Sequence, residues 1–92
     1  MIRSFRDRDT EMLAHGVRVA RFAPIESVAR RKLRQLEIAE NLSDLRIPPG
    51  NRIEALRGSR NGQFSIRVSD RYRVCFRWTE AGAEDVEIVD HH

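Results

Sequence analysis

The spacing of apolar residues changes once along this 92-residue chain, at Pro48-Pro49-Gly50-Asn51. Before that break it follows the helical period. Asp7 is placed to cap a first helix and Gly16 to end it, with Met12, Leu13 and Ala14 on the inner side. Pro24 is expected to open a second helix, along which Ile25, Val28, Ala29, Leu33, Leu36 and either Ala39 or Glu40 follow helical spacing. Arg30, Arg31, Lys32 and Arg34 then occupy the remaining surface. Leu42 and Leu45 add one further turn before the break.

After the break the period is two. Arg52–Leu56 reads as a short strand, Gly58–Gly62 as a turn, and Phe64, Ile66 and Val68 alternate with Ser65 and Arg67. The clearest strand follows, with Tyr72, Val74, Phe76 and Trp78 on one face and Arg71, Arg73, Cys75 and Arg77 on the other. Thr79–Gly82 turns the chain into a last strand, where Val86 and Ile88 alternate with Glu87 and Val89 up to Asp90-His91-His92. Connections this short require antiparallel pairing. Ile2–Phe5 is expected to add an edge strand. The expected fold is α+β: one domain over residues 1–92, with two N-terminal helices packed on a small twisted antiparallel β-sheet.

Charge changes this picture more than composition does. Of the 17 Lys and Arg residues all but Lys32 are arginine, and the net charge of +3 conceals segregation. Residues 47–78 carry seven arginines against Glu54 and Asp70, whereas residues 79–92 carry five acids and no lysine or arginine. The guanidinium fork suits phosphate, so the middle third is the expected polyanion surface. A lone cysteine, Cys75, excludes an internal disulfide and a cysteine-based zinc site. No apolar run reaches the length of a membrane span and no signal-peptide core is present, so the chain reads as soluble and cytoplasmic.

Three constellations carry candidate chemistry. If Tyr72, Val74, Phe76 and Trp78 face the helices, Arg71, Arg73 and Arg77 project from the opposite side together with Arg67 of the adjoining strand. The ordinary reading is a solvated polar face. Arg73 departs from it, because a long cation in mid-strand is least needed for solubility and suits a phosphate clamp. The terminal Asp90-His91-His92 supplies imidazoles that exchange protons near neutrality, set against a frayed end or the remnant of an affinity tag. Adjacent side chains converge poorly on one ion, so no metal site is expected there. Glu54 is either a salt-bridge partner of Arg52 or Arg57, or a general base on the arginine face. His15 is read as a helix C-terminal residue only.

Taken together, Pro48-Pro49-Gly50-Asn51-Arg52-Ile53-Glu54-Ala55-Leu56-Arg57-Gly58, Gly62-Gln63-Phe64-Ser65-Ile66-Arg67-Val68, Tyr72-Arg73-Val74-Cys75-Phe76-Arg77-Trp78 and Val86-Glu87-Ile88-Val89-Asp90-His91-His92 resemble the HigB (plasmid killer) toxins of the RelE/ParE superfamily. The opening Met1-Ile2-Arg3-Ser4-Phe5 also fits, and the likeness spans essentially the whole chain. The resemblance implies a RelE-like fold and the toxin of a type II toxin–antitoxin pair. It also implies a ribosome-dependent endoribonuclease that cuts mRNA in the A site by 2′-hydroxyl attack, without metal or other cofactor. The implied partners are a HigA-type helix-turn-helix antitoxin, the bacterial ribosome and mRNA, with operator DNA reached only through the antitoxin.

Carried over by motif, Arg73 is similar to the family's phosphate-stabilising arginine, and Asp90 and His92 to members of its catalytic C-terminus. Arg57 matches a basic residue that contacts RNA or ribosome, and Arg60, Arg67 and Arg71 extend that surface. Glu54 stands where some relatives have histidine, and His91 where an Asp-Tyr-His ending places tyrosine. Acid and base roles therefore lie among Glu54, Asp90, His91 and His92. Two other functions suit the same sequence: a non-catalytic ParE-like inhibitor of DNA gyrase, and a plain RNA-binding module. A pure inhibitor has no use for the proton-transfer groups at the C-terminus.

Overall fold

The computed structural model describes residues 1–90, and the two periods separate into two layers. Helices α1 (Arg8–Ala14) and α2 (Glu26–Ile38) precede strands β1 (Glu54–Ala55), β2 (Gln63–Arg67), β3 (Tyr72–Thr79) and β4 (Gly82–Asp90). The strands form one sheet in the order β1-β2-β3-β4, every pair antiparallel, as connections of a few residues demand.

Asp7 caps α1 as expected, its carboxylate accepting from the Thr10 N–H at 3.0 Å. The buried Thr10 hydroxyl in turn accepts from the Ile88 N–H at 3.0 Å, which ties α1 to the middle of β4. Pro24 lies one step earlier than predicted, inside a tight 3₁₀ turn over Ala20–Ile25 that buries Phe22 and Ile25 before α2 begins at Glu26. Just past the end of α2, Ala39 rather than Glu40 is buried. Lys32 corrects the sequence reading, because it is buried instead of lying on the surface. Spacing counts lysine as polar, whereas here its ammonium donates to Asn51 Oδ1 at 2.6 Å while its stem packs inside.

The predicted N-terminal edge strand is reduced to two bridges, Ile2 to Ala83 and Phe5 to Val86, and both are parallel. Gly82 makes this close approach possible, since at its φ of +128° a Cβ would come within 2.0 Å of the Met1 carbonyl oxygen. Strand β1 is also shorter than expected: Arg52 adopts a left-handed conformation (φ 44°, ψ 54°), which keeps it out of the strand.

The core lies between the helices and one sheet face. Leu13, Phe22, Ala29, Leu33, Leu36 and Leu45 meet Ile66, Val74, Phe76, Val86 and Ile88. Strict alternation along β4 would send Ala83 and Val86 to opposite faces. A bulge prevents this: Cys75 pairs with Glu87 but Arg77 with Glu84, so the extra residue at Asp85 (φ 53°) keeps Ala83, Val86 and Ile88 all buried. Among the described residues no helix is long and apolar enough to cross a membrane.

Candidate functional site

Side chains of cross-strand partners lie together on one face. The register Glu54↔Ser65, Ser65↔Cys75 and Cys75↔Glu87 therefore draws one row across all four strands, on the face turned away from the helices. The next row holds Arg67, Arg73 and Val89. This face is more than a solvated surface, because Gln63, Ser65 and Cys75 are buried beneath the longer side chains around them.

Arg73 folds over the row instead of extending into water. Its Nε donates to Ser65 Oγ at 2.7 Å, its Nη2 donates to the Arg52 carbonyl at 2.8 Å, and Nη2 lies 3.6 Å from Glu54 Oε1. Its side chain is only 11% exposed, while that of Glu54 is 56% exposed. Among the described residues Nη1 has no partner. One edge of the guanidinium is thus fixed by the protein and the other is available. At the far end of the row, Arg60 Nη1 bridges Glu87 Oε1 at 2.8 Å and Gln63 Oε1 at 3.0 Å. A cleft of about 220 Å³ opens beside β1, lined by Leu42, Arg46, Ile53, Glu54 and Phe64 among others.

Burial pushes the Cys75 thiol above the usual range. Arg60 and Arg73 oppose that shift, and Glu87 and Glu54 add to it. With its folded value raised, the thiol's contribution to stability is complete below the ordinary thiol range and is lost as pH rises through the raised value. Native protein at pH 7.5–8 (roughly the lower flank of the free thiol range) is therefore expected to alkylate with iodoacetamide at least about 10-fold more slowly than the urea-unfolded chain. Equal rates in the two states would show that Cys75 is neither buried nor raised.

The other sequence-predicted residues divide between this row and its rim. Glu54 lies on the arginine face, where its neighbour is Arg73 and not the expected Arg52 or Arg57, and Arg60 occupies the far end of the same row through Glu87. Arg67 is paired with Asp70, and Arg77 stands 3.6 Å from Asp85. Arg71 is a correction to the expected arginine face. It precedes β3, lies over the Tyr72 ring at 5.6 Å, and forks onto Asp90 through Nε and Nη2 at 3.0 and 2.8 Å. Asp90 is the register partner of Tyr72 and Val89 that of Arg73, so the Arg71–Asp90 pair sits on the Tyr72 side of the sheet. Arg46, Arg52 and Arg57 are exposed and have no ion-pair partner among the described residues. His91 and His92 lie outside the described residues.

The sequence reading missed Ser65, the Arg52 carbonyl and the Arg60–Glu87 bridge. Strand alternation placed Ser65 beside Arg67 and so held the signal for the first. Nothing in the sequence signalled the left-handed turn that aims the Arg52 carbonyl. Mutual repulsion among the arginines is relieved by acids close in sequence or across the sheet, and a shared anion is not required for the face to form. Among the described residues no group of three or more His, Cys, Asp or Glu side chains is gathered to hold a metal ion.

These observations define a small α+β protein with helices on one sheet face and, on the other, an arginine fixed along one edge and open along the other. A family model described as the RelE-like toxin of the type II toxin–antitoxin system HigB matches residues 4–92. Toxin HigB-1 of Vibrio cholerae serotype O1 is 40% identical over 93 residues, covering 99% of this chain and 98% of that protein. An uncharacterized protein of Haemophilus influenzae is 34% identical over 64 residues, covering 70% of this chain and 63% of that protein. The chain belongs to the HigB family of RelE-like toxins, and its place in a type II system implies a protein antitoxin as partner.

Proposed function

We propose that this toxin cuts messenger RNA in the A site of the bacterial ribosome, with the RNA's own 2′-hydroxyl as nucleophile. The observation that carries the reading is the geometry of Arg73, held at Nε and Nη2 with Nη1 open. A guanidinium fixed in this way offers a preorganised donor edge to a phosphate, and preorganisation is what stabilises charge that develops only in the transition state.

The reaction needs three groups. A base takes the 2′-hydroxyl proton as the 2′-oxygen bonds to phosphorus. Arg73 stabilises the equatorial oxygens. An acid protonates the 5′-oxygen as its bond to phosphorus breaks, leaving a 2′,3′-cyclic phosphate and a 5′-hydroxyl. Glu54, beside Arg73 and well exposed, is one candidate base, and His92 is the other candidate base and the favoured acid. Asp90, held by Arg71, and His91 are the remaining acid–base candidates. Arg57, exposed and unpaired among the described residues, is the readiest phosphate contact. Arg60, Arg67 and Arg71 would contact RNA or ribosome by exchanging carboxylate partners for phosphate. The cleft beside Glu54 is smaller than the roughly 300–1,000 Å³ that enclose small ligands, which suits a protein that supplies one wall while the ribosome positions the RNA. The antitoxin is of HigA helix-turn-helix type and carries the operator-DNA contact, and the toxin acts in the cytoplasm.

Induction in bacteria is expected to produce growth arrest with mRNA cleaved within translated regions. Deleting His92 should abolish both while the protein still accumulates folded. Arrest with intact mRNA and a DNA-damage response would instead assign a gyrase inhibitor. Salt-dependent binding of free RNA, with no cleavage on ribosomes, would assign an RNA-binding module.

A further inference from the structure

The buried Lys32 and Asn51 have no part in the chemistry above, yet both are drawn into it through the backbone. Asn51 is fully buried and all of its side-chain polar groups are engaged. Its Oδ1 accepts from Lys32 Nζ at 2.6 Å, and its Nδ2 donates to Gln35 Oε1 at 2.9 Å and to the Leu45 carbonyl at 3.1 Å. Lys32 and Gln35 lie three apart on one face of α2, so the helix grips a single amide from both ends. The residue that follows is Arg52, whose left-handed backbone directs its carbonyl to Arg73 Nη2 at 2.8 Å. A non-glycine residue holds that conformation only where its surroundings impose it. Asn51, the residue before Arg52, is fixed through all of its side-chain polar groups, and the Arg52 N–H donates to the Pro49 carbonyl at 3.1 Å.

We propose that Asn51, clamped by Lys32 and Gln35, is a positioning residue for Arg73. The clamp anchors the Pro48–Arg52 loop on α2, the loop presents the Arg52 carbonyl at a fixed point over the sheet, and that carbonyl with Ser65 Oγ sets the plane of the guanidinium. The chain of contacts runs from the helical layer to the opposite face of the sheet and ends on the donor edge aimed at substrate. The inference rests on the catalytic reading of Arg73. The latch itself can be measured without any activity.

Two variants keep the volume of the site. Asn51→Asp retains an acceptor for Lys32 and loses both Nδ2 donations, and Lys32→Met retains the buried stem and loses the ammonium. Each is purified as the full chain and its fold is checked by the amide spectrum of the core. The Arg73 side-chain Nε–H is then followed by NMR, with Ser65→Ala as the control that frees it directly. The latch predicts that Arg73 Nε–H exchanges with solvent about 10-fold faster or more in both variants, as in Ser65→Ala. Cleavage on ribosomes should fall in kcat while the half-saturating ribosome concentration stays constant, and neither variant should lower cleavage further in an Arg73→Lys background. An unchanged Arg73 signal in both folded variants overturns the latch, whatever the activity. Release of Arg73 with cleavage at the wild-type rate overturns the positioning role together with the catalytic reading of Arg73.

Discussion

Arg73→Ala is expected to lower the single-turnover rate of mRNA cleavage on ribosomes by a factor on the order of 10²–10³, the usual loss when one preorganised donor is removed from a charged transition state. The fold should survive, because among the described residues the Arg73 side chain hydrogen-bonds only to Ser65 and the Arg52 carbonyl, beside Glu54, on the face opposite the core. Arg73→Lys separates charge from geometry. An ammonium cannot donate to Ser65 and Arg52 and also keep a planar edge for phosphate, so lysine should recover only a small part of the loss. A rate within a few-fold of wild type for Arg73→Ala, with binding to ribosomes intact, would remove Arg73 from the mechanism.

The second large effect concerns the layer beneath. Phe76 is completely buried at the centre of β3, 6.3 Å from the stacked ring of Phe64 and 6.4 Å from the edge-on ring of Trp78. Truncation to alanine removes most of a large side chain from a site walled by three strands that cannot collapse freely. The expected cost is about 3–5 kcal/mol. A domain of this size has only about 5–15 kcal/mol in total, so urea unfolding of Phe76→Ala should show a midpoint lowered by a large fraction of its wild-type value with little change in slope. A loss below about 1 kcal/mol would mean that Phe76 is not in the core. The comparison with Arg73→Ala is informative, since one variant should lose activity and keep stability and the other should do the reverse at temperatures where it remains folded.

The sheet was legible because apolar and polar residues alternate along β2 and β3. Tyr72, Val74, Phe76 and Trp78 could be assigned to the core face from spacing alone, and with them Arg73 to the other. Asp7 announced α1 through a capping rule that acts locally. The sequence reading failed where tertiary contacts override local preference. Lys32 looks like a surface residue until Asn51 is brought to it by a turn 19 positions later in the chain. Arg71 should alternate with Tyr72, but β3 starts one residue after it and Asp90 pulls it to the other side. The bulge at Asp85 and the left-handed Arg52 are backbone events that neither residue type advertises. The site was therefore half visible: Glu54 and Arg73 could be named, and what holds Arg73 in place could not.

The central claim is that Arg73 and its neighbours cut RNA and depend on the ribosome to deliver it. The direct measurement uses the purified chain, a defined mRNA and bacterial ribosomes carrying a codon in the A site, with cleavage products mapped and their ends analysed. The account predicts a cut within the A-site codon, ending in a 2′,3′-cyclic phosphate, in the presence of ribosomes and at a negligible rate on free mRNA. Intact mRNA on saturating ribosomes, or equal cutting with and without them, would contradict it.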